Sequence, residues 1–380
     1  MSSLEIAFFG SSLLSSYWNG AATYYRGILK YLHRLGHSIT FYEPDAFNRQ
    51  SYKDFGGVEF AASEVYAAET EADVLAVTKR AQGADVVIKA SGVGVWDELL
   101  EAVVLENKIR GAMVIFWDVD APATLARVDQ DPTDSFRQCV PEYDLILTYG
   151  GGPEVIRRYG LLGARRCVPI YNALDPETHY PVRKDVAFEA TLGLLANRLP
   201  DREARIEKFF FDVASVCEWG RFVLGGNGWE DKQLKPNVRL TGHVPTEQHN
   251  SFNSSPLAVL NVNRESMAEI GYSPATRVFE ALGSEACLIT DSWPGLDKFL
   301  NPGSECLVAN DTADVVDYLR ELTPSMAAQI GKAGRERVLQ EHTYEQRAEL
   351  VEKVLLDTYG KELTCSAFDY STQAFTSVYK

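Results

Sequence analysis

No apolar run in this 380-residue chain approaches the roughly 20 residues needed to cross a bilayer. The N-terminus, MSSLEIAFFGSS, has no basic leader and runs straight into a strand-like segment. A membrane span and a secretory signal are therefore not expected, and the chain reads as cytoplasmic. Cysteine is sparse and scattered. Cys139, Cys167, Cys217, Cys287, Cys306 and Cys365 form no C-x-x-C pair, and several sit in apolar runs such as EACLIT. A disulfide framework or a structural zinc site would need tighter clustering. Positive charge is short too: 37 Lys and Arg face 53 Asp and Glu, a net charge of −16. A nucleic-acid backbone, or an anionic membrane held by charge alone, calls for the opposite sign.

Several chemical signatures are also missing. The loop after the first strand-like segment, FFGSSLLSSYWNGAATYY, lacks G-x-G-x-x-G, so a dinucleotide fingerprint is not supported. There is no P-loop and no G-x-S-x-G elbow, which removes P-loop ATPase and serine-hydrolase readings. His33, His37, His179, His243, His249 and His342 show no H-E-x-x-H or other ligand spacing.

What remains is alternation. Short β-rich apolar runs alternate with amphipathic stretches, the pattern of parallel sheets wrapped by helices. In the first half the strands read 5–10, 38–43, 84–91, 112–118, 143–149 and 166–172. In the second they read 186–195, 220–226, 237–244, 257–263, 286–291 and 305–309, with helices over 201–218 and 274–284 and helical sequence through 311–359. Between the halves, NALDPETHYPVRKD carries two prolines and no periodic apolar face. The expected fold is α/β, with two Rossmann-like doubly wound domains facing across a cleft: residues 1–172, a linker at 173–185, and 186–359. The tail 360–380 is read as disordered or as a strap packing back on the first domain. Ligands of open α/β sheets lie off the carboxyl ends of the strands, so two facing sheets make one interdomain site.

Five loops supply candidates. Gly10 allows close backbone approach, and Ser11, Ser12, Trp18 and Asn19 can hydrogen-bond to or stack on a sugar. Asp118 and Asp120 leave a strand in IFWDVDAPATL. The pair invites a bridging Mg²⁺ or Mn²⁺, or Asp120 faces an acceptor as general base, or it caps the helix that Pro122 opens. In LGLLANRLPDREARIEKF, Asn197 and Arg198 follow a strand; Arg198 can fork onto phosphate, while Arg202 falls on the helix that Asp201 opens. Gly225, Gly226 and Gly228 bend VLGGNGWEDK and can admit a nucleotide. The fifth loop is GYSPATRVFEALGSEACLITD. Ser273 suits an N-cap and Pro274 the first helical position. The free N–H groups of such a start make an anion site, with Arg277 and Glu280 on roughly the same face. A plain capped helix with a surface ion pair is the alternative.

The segments LANRLPDREAR (195–205), LTGHVPTEQHNSFNSSPLAVLNVNRES (240–266), GYSPATRVFEALGSEACLITDSWPGLDKFLNPGSE (271–305) and AGRERVLQEHTYEQR (333–347) resemble the donor domain of GT-B glycosyltransferases, most closely the CgeB-type group. LGHSITFYEPD and WDVDAPATL resemble the first half of such enzymes more weakly. The resemblance implies sugar transfer from a nucleotide-diphosphate donor to a glycan, protein or small-molecule acceptor, with no obligatory metal or other cofactor. It sets the diphosphate on Ser273, Pro274, Ala275 and Thr276, the ribose on Glu280, and the leaving phosphate on Arg198 or Arg277. Asp120 would face the acceptor. One departure stands out: many retaining members carry E-x7-E, and eight residues before Glu280 stands Tyr272. A non-transferring nucleotide-sugar enzyme such as an epimerase, a metal-dependent transferase using Asp118 and Asp120, and an inert scaffold remain alternatives.

Overall fold

The computed structural model describes residues 3–17 and 19–361, so Trp18 and the tail beyond 361 lie outside it. Two parallel sheets form the frame. The first contains β1 (Glu5–Phe9), β2 (Ser38–Pro44), β3 (Ala62–Tyr66), β4 (Val86–Ala90), β5 (Met113–Asp118), β6 (Leu145–Thr148) and β7 (Cys167–Pro169). Their spatial order is β3-β2-β1-β4-β5-β6-β7. The second contains β8 (Leu192–Leu195), β9 (Phe222–Gly225), β10 (Val238–Gly242), β11 (Ala258–Asn261), β12 (Leu288–Asp291) and β13 (Leu307–Ala309), in the order β10-β9-β8-β11-β12-β13. Every pairing is parallel. Both are the doubly wound layers expected, with strand order reversing beside β1 and β8.

The central strands are buried along their whole length: β4, β5, β6, β8, β9, β11 and β12 each expose no residue. Burial on both faces is what writes a parallel strand as an unbroken apolar run. The strand that sequence reading missed, β3 (ASEVY), is a sheet edge with a half-exposed, polar pattern, which periodicity cannot tell from a loop. None of the described helices is long and apolar enough to cross a membrane.

The chain passes between the sheets twice. Residues 172–185 are pinned along their length: Asp175 accepts Lys30 Nζ at 2.8 Å, and the Val182 and Asp185 N–H groups donate to Ser254 and Ser255. The return comes at Leu174, whose N–H donates to His342 O and whose carbonyl accepts from Tyr344 N. From there the Tyr344–Lys361 helix leaves the second sheet. Its Tyr344, Ala348, Val351, Val354 and Leu355 join the first sheet's core beside Tyr24, Ile28 and Leu32 of the Ala22–Arg34 helix. Residues 344–355, expected in the second domain, thus pack on the first sheet, while the tail beyond 361 lies outside the described residues.

That crossing is close-packed. A Cβ added at Gly27 would lie 2.3 Å from the Tyr344 ring. Gly27→Ala should therefore lower stability by about 1–3 kcal/mol, the usual cost of overpacking a well-filled core, read as a shift in urea midpoint with unchanged slope. An unchanged midpoint would mean the helix is not held there.

Candidate functional site

The carboxyl ends of β5, β6, β8 and β11 face the seam between the sheets, and three arginines gather there. Arg202 lies in the first turn of the Pro200–Ile206 helix after β8, Arg264 follows β11, and Arg277 opens the Thr276–Gly283 helix. Arg202 is the unusual one. Its Nη2 donates to the Asn197 carbonyl at 2.6 Å, while its buried Nε has no partner among the described residues. Burial, then the like charges of Arg264 and Arg277, lowers this guanidinium to about 10, with Asp291 and Tyr149 acting the other way. Arg277 Nη1 pairs with Glu280 at 2.8 Å, and its buried Nε also lacks a partner among the described residues. Cations crowded together with free, buried N–H groups make a receptor for a multiply charged anion.

Glu280 is the floor of this site. It is only 5% exposed, so the surface ion pair expected of it is a buried one. Burial alone would raise its carboxyl, but Arg277, and behind it His179 and His249, hold it down at about 2. Its carboxylate is directed to Arg277 and His179.

The helix start differs from expectation. Ala275, not Ser273, is the N-cap, and Thr276 is the first helical residue. Ser273 is buried and donates to the Gly271 carbonyl. Asn172, at the end of the first half, takes over: its Nδ2 donates to Pro274 O at 3.0 Å and its Oδ1 accepts from Thr276 Oγ1 at 3.1 Å. A contact from the other domain thus shifts the start by two residues. Tyr272 sits beside it with a left-handed φ of 47°. Its carbonyl accepts from Gly151 N, and its ring fills the space left by Gly152 and Gly295.

Asp120 stands at the N-cap of the Ala121–Gln130 helix without a side-chain capping bond. Its Oδ2 accepts from Arg264 Nη1 at 2.7 Å across the seam, and its buried Oδ1 has no donor among the described residues. Arg264 Nε donates in turn to Asp201.

The other candidates lie outside this cluster. Asp118 is fully buried and accepts from Ser91, Thr124, Tyr159 and the Asp120 N–H. It braces β5 and cannot face a substrate or share a metal with Asp120. Arg198 pairs with Glu203 and Asp231 over the Trp229 ring, so its charge is already met and it does not join the arginine cluster. Asn197 Oδ1 accepts from Asn227 N, tying two loops. Gly225 ends β9 against Leu195 and Val244, and Gly226, at φ 119°, packs on the Ala196 carbonyl. Gly10 makes room for Phe41, and Ser11, Ser12 and Asn19 bond to one another and to Ser15 inside their loop. A cavity of about 380 Å³ opens nearby between Arg205 and Asn310. Its basic groups are committed, Arg205 to Asp291 and Glu265 and Lys208 to Asn310 O, so it is not the anion site.

Residues 202–353 match the family model described as Glycosyl transferase-like. Sucrose-phosphate synthase from Thermosynechococcus elongatus superposes with TM-score 0.71 at 14% identity, over 94% of this chain and 99% of that one. Anabaena HepE in complex with UDP and glucose gives 0.67 at 12%, over 93% and 100%. An alpha-glucosyltransferase in complex with UDP and a 13-mer DNA gives 0.66 at 13%, over 94% and 99%. No curated protein sequence matches the chain. The architecture is therefore GT-B, two parallel α/β domains across a cleft.

The histidine beside Glu280 gives the site a pH signature. Burial, then Arg277, lowers His249 from 6.5 to about 4. The unfolded chain therefore binds the extra proton between those values, and stability must fall as pH drops through that window. Glu280, lowered from 4.5 to about 2, adds a loss that begins only below about pH 4.5. Denaturation from pH 7 to 4 should show a steeper loss for the native chain than for His249→Gln; equal slopes would contradict the burial of this imidazole.

Proposed function

We propose that the protein is a glycosyltransferase of CgeB-like type that moves a sugar from a nucleotide-diphosphate donor to an acceptor in the interdomain cleft. One observation carries the reading: Arg202 and Arg277 are half-buried cations at the seam, each with a buried Nε–H that has no partner among the described residues. The Glycosyl transferase-like match over 202–353 supports transfer over the epimerase and inert-scaffold alternatives. The UDP named for HepE and the alpha-glucosyltransferase makes UDP the first donor base to test.

In this proposal the diphosphate lies between the start of the Thr276–Gly283 helix and the two guanidiniums. As the bond from the anomeric carbon to the phosphate oxygen breaks, negative charge grows on the β-phosphate. Arg202 and Arg277, fixed before the reaction and partly removed from water, stabilise that charge with the helix dipole. They do the work a bridging dication would do, so no Mg²⁺ or Mn²⁺ is required. Glu280 positions Arg277 by its buried ion pair. Asp120 is held by Arg264 and takes the acceptor proton at its free Oδ1. Arg264 completes the site from the other side of the seam.

The unmet Nε–H of each guanidinium supplies one charge-assisted contact, worth about 1.5–3 kcal/mol. Arg202→Ala and Arg277→Ala should each weaken UDP binding about 10–100-fold, followed by thermal unfolding against UDP concentration. Arg198→Ala should leave UDP affinity unchanged, and added Mg²⁺ should not alter the UDP shift. Full UDP affinity in Arg202→Ala, or stabilisation only with Mg²⁺, would overturn this reading.

A further inference from the structure

Three side chains far apart in sequence converge beneath the arginine cluster. His179 comes from the connecting segment, His249 opens the His249–Ser254 helix, and Glu280 lies in the Thr276–Gly283 helix. One ligand atom from each lies within 4.8 Å of the other two.

The hydrogen bonds behind the rings fix where their protons sit. The Val244 carbonyl can only accept, so its 3.3 Å contact with His249 Nε2 places the ring proton there and leaves Nδ1 bare. That Nδ1 is buried and has no partner among the described residues. Thr178 Oγ1 donates to the Asp175 carbonyl at 3.2 Å. Its 2.9 Å contact with His179 Nδ1 is therefore donated by the imidazole, and Nε2 is bare. Nε2 faces Glu280 Oε1 at 3.8 Å, too long for a hydrogen bond. The bare His179 Nε2 thus faces the Glu280 carboxylate, and a ring nitrogen of His249 lies within 4.8 Å of both in a largely buried space. Such an arrangement repels itself unless a cation stands in the middle.

We propose that His179 Nε2, His249 Nδ1 and Glu280 Oε1 form a three-ligand site for Zn²⁺ or a similar borderline divalent ion, with a fourth position left for water. Two imidazoles and a carboxylate are a zinc ligand set, and each ring is backed on its far side by an oxygen, as metal-bound histidines are. Mg²⁺ and Ca²⁺, which want oxygen ligands, are poorly served by two nitrogens. The Arg277 charge works against the dication, and Glu280 meets both by giving one oxygen to each. A metal here clasps the connecting segment to the two helices, one of which carries Arg277. It takes no part in the sugar chemistry and does not depend on the glycosyltransferase reading.

The test uses the full chain, stripped with EDTA, freed of chelator and titrated with Zn²⁺ by calorimetry and with Co²⁺ by visible absorption. One equivalent of Zn²⁺ should bind, and Co²⁺ should give the absorption bands of a low-coordinate nitrogen and oxygen site. His179→Gln and His249→Gln should each weaken binding by more than about tenfold, the least that even an outer-shell partner costs. His243→Gln, an exposed ring, should change nothing. Absence of stoichiometric binding, or wild-type affinity in both variants, overturns the proposal. Should a variant fail to fold, X-ray absorption on the zinc-loaded native chain decides: imidazole and oxygen ligation sustains the site, and sulfur ligation refutes it.

Discussion

Arg202 is a half-buried cation with a buried, unmet Nε–H, its charged neighbours at the seam include two more cations, and the arrangement around the cleft follows from how that charge is met. Asp291, the acid within its influence, is already bonded to Arg205. Arg277 is bound by Glu280, and Arg264 by Asp120 and Asp201. Arg202 alone of the three makes no ion pair among the described residues. A buried, unmet N–H in that position costs stability until an anion arrives, so the site gains more from a diphosphate than a fully solvated arginine would.

The seam that presents these groups is held from both sides. Asn172 fixes the start of the Thr276–Gly283 helix, Gly151 bonds the strained Tyr272, and Arg264 reaches across to Asp120. Ile270 of the second half packs into the first sheet's core. The Tyr344–Lys361 helix closes the arrangement by returning to the Ala22–Arg34 helix. The two sheets are thus held by polar contacts at the cleft and by apolar packing behind it.

The two-sheet fold was legible because strands buried on both faces leave unbroken apolar runs, and the first half's strands differ from expectation mainly at the missed edge, β3. The site was legible only in outline. Arg277 and Glu280 stand one turn apart on a helix, and local spacing reveals that pair. The choice between Arg198 and Arg202 was not local: it depends on Glu203 and on Asp231, 33 residues beyond Arg198 in a different loop. Ser11, Ser12 and Asn19 had the chemistry of ligands, but their partners are one another, and composition does not show that a loop satisfies itself. Arg264 was visible only as a residue beyond the carboxyl end of a strand. His179, His249 and Glu280 have no spacing that links them; only the fold brings them together.

The most direct measurement is the structure of the protein with UDP bound. A diphosphate oxygen within hydrogen-bond reach of Arg202 Nε, with Arg277 Nε on the same diphosphate, is the expected result. A diphosphate bound against Arg198 and the Gly225–Gly226 turn, with Arg202 still unmet, would contradict it.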